Sequence, residues 1–307
     1  MKRILRAIAL LIIPIVLYYT VFLIFEPNNY FGLHEQATGT DIVATLRAYG
    51  ENSPPGIVLG DSRMAKLDTG PEYTNLAFGG AGLKEQLDLI EWAIASNPGL
   101  NRVVAQITFY TLNASYNQDR MIVRALNNPL VYLTNLGYNI NMLTNLYDTI
   151  SPHREVGDEG ETTDPADYKY VEYTSPIDGK TYTMRSQMAE HLEQMYPRNE
   201  GWSLNETQLN RLLEIIQEYS DIEFVLVMTP AHPLVLQHIA DPLGITERMQ
   251  PVLQQLQNSG AVLLDYEFTD SGLADTDYFD CFHLDTERGL EKWNRMLLDD
   301  IAAGGRK

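Results

Sequence analysis

The sequence predicts an α/β protein: a three-layer, doubly wound parallel sheet with a transmembrane helix ahead of it. Three observations predict this. Short, continuous apolar runs alternate with longer stretches of helical periodicity, which is the pattern of a parallel sheet covered on both faces. Small and polar residues collect just past the apolar runs, where such sheets carry their chemistry. Finally, 7–25 is an uncharged run of 19 residues near the N-terminus.

That first run is long enough, at about 1.5 Å rise per residue, to cross most of a hydrocarbon core of about 30 Å. Lys2, Arg3 and Arg6 precede it and Glu26 is the first charge after it. Positive charge favours the cytoplasmic side, so the expectation is a single-pass anchor in the cell membrane with the rest of the chain outside. Pro14 is tolerated in a membrane helix, and Tyr18, Tyr19 and Tyr30 suit the outer interface. A cleaved signal peptide is the competing reading. The run exceeds the usual apolar region of such a peptide, and Phe25-Glu26-Pro27-Asn28 offers no small-residue cleavage site. The expected organisation is a cytoplasmic tip and anchor (1–26), a juxtamembrane connector (27–53) with a short helix at 41–49, and an extracytoplasmic domain (54–307).

Within that domain, Gly56-Ile57-Val58-Leu59 reads as a strand that stops in Gly60-Asp61-Ser62. A second short strand is expected at 73–78, ending in Gly79-Gly80-Ala81-Gly82. A helix at 83–96 follows, with Leu83, Leu87 and Ile90 on one face and Asn97-Pro98-Gly99 as its stop. Further strands are expected at 102–109, 223–228 and 261–265, and further helices at 205–219, 246–259 and 286–301. The stretch at about 116–202 breaks the alternation. It holds Asn/Leu/Tyr-rich segments at 121–150, an acidic loop at 155–167 and a helix near 184–196, and reads as an insertion over the site.

Composition narrows the function. Lys and Arg number 22 against 41 Asp and Glu, a net charge of −19. This excludes broad nucleic-acid binding, which needs cations to displace counterions from phosphate. Hydrophobic residues at 45% exclude a disordered chain. The single cysteine, Cys281, excludes an intramolecular disulfide and a multi-cysteine zinc site.

Four pieces bear chemistry. Ser62 follows a strand at a sharp turn, which exposes a hydroxyl that becomes a nucleophile once a base takes its proton. Its N–H, at the start of a helical turn, can serve an oxyanion. His283, in Asp280-Cys281-Phe282-His283, is the candidate base, and Asp280 can hold its other ring nitrogen. Gly80, in the glycine turn before a helix, offers a bare N–H to developing negative charge. Asn113, past the third strand, offers a side-chain amide. Arg63 could meet an anionic group of the substrate, although a salt bridge to the acidic surface is its commoner use, and His232, in Thr229-Pro230-Ala231-His232-Pro233, could gate the site, although a loop histidine beside prolines is more often structural.

The order Ser, Gly, Asn, Asp-x-x-His, each after its strand, resembles the SGNH (GDSL) hydrolase superfamily, whose sheet is flavodoxin-like. Leu59-Gly60-Asp61-Ser62 looks like its first block, Gly79-Gly80-Ala81 its second and Asp280 to His283 its last. The resemblance implies that Ser62 is the nucleophile, His283 the base and Asp280 its partner, with Ser62, Gly80 and Asn113 forming the oxyanion hole. The third block departs from the family, since no glycine precedes Asn113 at the usual spacing. An uncleaved anchor before such a domain resembles the envelope branch of O-acylating proteins, DltD-like or alginate O-acetylation-like. That branch implies a serine acyltransferase or esterase acting on a cell-envelope polysaccharide, a teichoic-acid-like acceptor or a lipid-linked glycan. It also implies work beside a multi-pass membrane O-acyltransferase, with no cofactor and no metal.

Two other readings stay open. A non-catalytic envelope scaffold could bind glycan through the Tyr-rich stretch at 168–173. A metal site could be built from Asp61, His232, Asp280 and His283, although no close ligand pair such as His-x-x-x-His occurs. His34, His153, His191 and His238 show no partner in the sequence, and Cys281 reads as a small buried residue.

Overall fold

The computed structural model describes residues 2–26, 28, 30–33, 42–116, 121–151 and 164–304. His34, His153, Asp41 and most of the acidic loop fall outside the described residues. In chain order the elements begin with α1 (Lys2–Phe25), α2 (Ile42–Ala48), β1 (Gly56–Leu59), α3 (Ser62–Ala65), β2 (Tyr73–Asn75), α4 (Leu83–Ser96) and β3 (Arg102–Gln106). Then come α5 (Ile122–Asn127), α6 (Pro129–Thr134), α7 (Leu136–Ile150), β4 (Tyr170–Thr174), β5 (Thr181–Arg185), α8 (Ser186–Asn199) and α9 (Glu206–Glu218). The chain ends with β6 (Glu223–Met228), a short α10 (Pro233–Val235), α11 (Ile245–Gln257), β7 (Val262–Asp265) and α12 (Gly289–Ala302).

The chain divides into two compact units: 1–48 with 120–158, and 49–119 with 159–307. The insertion expected at about 116–202 is therefore split. Its first half clusters with the N-terminal helices, and its second half, with β4, β5 and α8, belongs to the sheet unit.

The sheet unit is the expected α/β architecture. Five strands pair in parallel in the order β2-β1-β3-β6-β7, with helices around them. Successive strand residues point to opposite faces. On one face Val58, Val104, Val225, Val227 and Leu264 pack under Trp293, Leu297 and Ile301 of α12. The alternate residues Ile57, Leu59, Val103 and Leu226 are fully buried as well, which is why these strands read as unbroken apolar runs rather than alternating ones. β1 and β3 are neighbours, yet the chain leaves β1 for β2 on the other side. The switch point of the sheet therefore lies at the carboxyl ends of β1 and β3, just before Ser62 and Thr108.

Two strands end earlier than expected. β2 ends at Asn75 because the Asn75 side chain turns back, its amide donating to Met64 O and its oxygen accepting from Ala77 N. β3 ends at Gln106, where Thr108 and Thr111 begin a tight side-chain-bonded turn. The last helix begins three residues later than expected, because the Asp285 carboxylate first takes the N–H groups of Glu287 and Arg288.

The other unit is helical. α1 covers the uncharged run, with Pro14 inside it, and its side chains are described from Leu10 onward. Leu10 to Leu17 are exposed. Among the described residues no helix is long and apolar enough to cross a membrane, so the expected span is not found among them. The end of α1 is stitched to 121–151. Tyr132 OH donates to Glu26 Oε1, Tyr30 stacks on Tyr132 with centroids 4.1 Å apart, and Asn145 Nδ2 donates to Phe25 O at 2.8 Å. On α7, Leu136, Ile140, Leu143, Tyr147 and Ile150 recur at helical spacing, and each is at least half exposed.

Candidate active site

The site begins at the end of β1. Gly60 has no room for a side chain: a Cβ there would stand 2.4 Å from Met64 Cγ and 2.8 Å from Gln106 Oε1. The chain can thus turn straight from strand into α3. Asp61 caps that helical turn, accepting from Arg63 N at 2.9 Å. Ser62 is left exposed between two buried neighbours.

Its hydroxyl lies 2.8 Å from His283 Nε2, and His283 Nδ1 lies 2.8 Å from Asp280 Oδ2. The carboxylate holds the Nδ1 proton, so Nε2 is available to accept one. The loop that carries this pair is tightly built. Asp280 Oδ1 accepts from the N–H groups of Phe282 and His283, both at 2.7 Å. Phe279 N donates to His283 O at 2.9 Å, and Tyr278 bridges to Leu284. Cys281 points away, fully buried against Met188. Burial above all pushes its thiol well above the ordinary range, so it is packing and not a nucleophile.

A second imidazole shares the carboxylate. His191, from α8, places Nδ1 2.9 Å from Asp280 Oδ1, at ion-pair distance without an aligned hydrogen bond. Its ring stacks over His283 at 5.9 Å and 15°. Burial alone would raise the Asp280 carboxyl, but the close polar contacts of His191 and His283 outweigh it and hold Asp280 far below the usual range. Asp280 is therefore ionised throughout the working pH range.

Gly80 lines the same groove as Ser62. Its φ of +76° is a left-handed conformation that glycine adopts without strain. It lies in the turn closed by Ala81 N donating to Phe78 O at 3.2 Å. Among the described residues the N–H groups of Ser62 and Gly80 have no hydrogen-bond partner. Two free donors beside one hydroxyl are what a developing oxyanion requires.

Under Ser62 lies a buried polar floor. Arg63 forks onto Asp61, with Nη2 2.7 Å from Oδ2, and Gln106 Oε1 accepts from Asp61 N at 2.6 Å. Glu267 accepts from Phe109 N at 2.9 Å. Burial pushes its carboxyl up to about 8, against the opposing pull of Arg63, so it holds its proton at neutral pH.

Three expected assignments are corrected. Asn113 does not line the groove at Ser62. Its amide donates to Arg198 O at 3.2 Å and its oxygen accepts from Ser115 N at 3.0 Å, so the group is spent on fixing its own loop. Arg63 lines the groove, yet it is 8% exposed and its guanidinium forks onto Asp61, two residues earlier. His232 caps α10, accepting from Leu234 N, and pairs with Asp275 at 2.9 Å. It supports the His283 loop through its N–H to Cys281 O and an edge-on contact with the Tyr278 ring. The four-residue metal set also separates, since Asp61 and His232 are both engaged elsewhere. Among the described residues, His191, Asp280 and His283 are grouped closely enough to share a metal ion, with ligand atoms within 4.8 Å. In the Tyr-rich stretch, Tyr170 is exposed and Tyr173 is buried.

The sequence did not point to His191 or Arg198. Both come from α8 and both line the groove. Their signal is only the polar face of an amphipathic helix, spaced seven residues apart.

No family model matches the chain, and no curated protein matches it. Among solved structures the chain is similar to that of a putative platelet activating factor from Streptococcus pneumonia. The two are 13% identical at a TM-score of 0.40, and the match covers 92% of this chain and 97% of that one.

Proposed function

We propose that the chain is a serine acyl hydrolase or O-acyltransferase of SGNH type. The observation that carries this reading is the continuous contact from Ser62 Oγ through His283 to Asp280, with Oγ exposed. In the first step the Ser62 proton passes to His283 Nε2 as Oγ bonds to the carbonyl carbon of an ester. The carbonyl oxygen becomes an oxyanion facing the N–H groups of Ser62 and Gly80. Collapse breaks the ester C–O bond, and the leaving alcohol takes the proton from His283. In the second step a hydroxyl, from water or from an acceptor, gives its proton to His283 as its oxygen attacks acyl-Ser62. The acyl group departs with it, and His283 returns the proton to Ser62. Asp280 supports the imidazolium in both steps.

The proposal extends to place. The uncharged run of α1 supports an anchor in the cell membrane with the sheet unit outside, facing O-acyl groups of an envelope polymer or lipid-linked glycan beside a multi-pass acyltransferase. Tethering would raise the local concentration of such a substrate.

A fluorophosphonate probe and p-nitrophenyl acetate test the chemistry. The wild-type protein is expected to be labelled at Ser62 and to hydrolyse the ester. Ser62→Ala should lose labelling and at least about 10³-fold in turnover. A wild-type chain that takes no label would instead support the non-catalytic scaffold.

A further inference from the structure

We infer that Arg198 forms an anion subsite beside Ser62, so that the acyl ester cleaved there carries a carboxylate or phosphate close to its scissile bond. The inference rests on the serine reading above for its catalytic meaning, and on separate observations for the subsite itself.

Most cations near the sheet are committed. Arg63 pairs with Asp61, Arg102 with Glu223, and Arg211 with Asp88 and Glu91. Arg185 pairs with Asp275 and Arg288 with Asp285. Among the described residues Arg198 pairs with no carboxylate, in a chain whose net charge is −19. Among the described residues its guanidinium meets Met195 Sδ at 3.8 Å and the Tyr110 hydroxyl. A guanidinium carries five donors in a fork that matches carboxylate and phosphate oxygens, so most of its capacity is unspent.

Its position is the second observation. Arg198 lines the groove of about 150 Å³ that holds Ser62, His283 and Gly80. It also lines the adjoining cleft of about 620 Å³ that reaches His283 and Asp280, and the hollow beyond Tyr110 and Tyr116. It thus stands where the three spaces meet. Within the small groove no opposing charge is free. Asp61 is neutralised by Arg63, and Asp280 is fenced by two imidazoles. Asp167 and Glu190 line only the larger cleft, together with Lys169. An anionic substituent is therefore drawn to the Ser62 side of α8 and repelled from the outer side. Tyr110 and Tyr116, their ring centroids 4.2 Å apart at a tilt of 42°, give the neighbouring wall an aromatic face.

The test compares two esters of equal chain length, 4-nitrophenyl butyrate and mono-4-nitrophenyl succinate. The wild-type protein should prefer the succinate ester in kcat/KM by roughly tenfold, the scale of one charge-assisted hydrogen bond. The ratio should fall to about one in Arg198→Gln and below one in Arg198→Glu, and should shrink with added salt. A wild-type ratio of one or less, or a ratio unmoved in Arg198→Gln, overturns the subsite. Calorimetric titration with succinate and with inorganic phosphate reads the subsite without turnover. Binding that Arg198→Gln abolishes supports it even if neither ester is cleaved, in which case the serine reading alone falls. No binding of either anion to a wild-type chain that cleaves neither ester overturns it. Whichever anion binds more tightly identifies the substituent.

Discussion

Glu267 shows how the floor of the site is set by single residues. It is 1% exposed and one of its oxygens has no partner, so ionising it is costly. Its folded value near 8 lies above the usual 4.5. The folded state therefore holds a proton that the unfolded chain releases. Stability from this group is full below about 4.5 and is lost as pH rises towards about 8. Thermal melts from pH 5 to pH 9 should show the wild-type Tm falling relative to that of Glu267→Gln; parallel curves would refute a neutral Glu267. At this scale Ser62, Gly80, Asp280 and His283 were legible, because each sits in a local motif just past a strand or before a helix. A salt bridge was the commoner expectation for Arg63, but its partner could not be named, because Asp61 is itself the helix cap two residues earlier. His191 and Arg198 were not legible. No neighbour in sequence marks them, and only the packing of α8 brings them to Ser62.

The strand–turn–helix of β1 and α3 is the element that presents the nucleophile. It works because Met64 folds back over Gly60 and Gln106 reaches across from β3 to hold Asp61 N. A methyl group at Gly60 would have to displace both. Gly60→Ala is expected to cost about 1–3 kcal/mol, the usual range for overpacking a filled core, and to reduce ester turnover with it. A melt indistinguishable from wild type would mean that the turn relaxes freely and that the close approach is incidental. Strand and helix bounds were legible to within a few residues from apolar runs and stop signals. Three of the misses fall where a side chain captures the backbone: Asn75 at β2, Thr108 and Thr111 after β3, and Asp285 before α12; the hairpin of β4 and β5 was not foreseen at all. Such captures depend on tertiary placement as much as on local sequence.

At the scale of the whole molecule, the parallel sheet was legible because its strands are buried on both faces, and the carboxyl ends of those strands pointed to the region of the candidate site. The division into units was not legible. It depends on pairings such as Tyr132 with Glu26 and Asn145 with Phe25, which join segments more than a hundred residues apart. If the N-terminal run anchors the chain, the full-length protein should stay in the membrane pellet after an alkaline carbonate wash. Release into the supernatant would count against the anchor.

Those same pairings govern how the protein can be handled. Trimming the chain at residue 27 is the obvious way to prepare a water-soluble fragment, yet it would strip Phe22 and Glu26 from Tyr132 and bare an aromatic shelf. That shelf would add to the uncovered Leu and Ile residues of α7, and the fragment would be prone to self-association. A cleaner excision takes out 120–158 as well and rejoins the chain across the gap, leaving the hydroxyl, the two imidazoles and their shared carboxylate on one side of the cut.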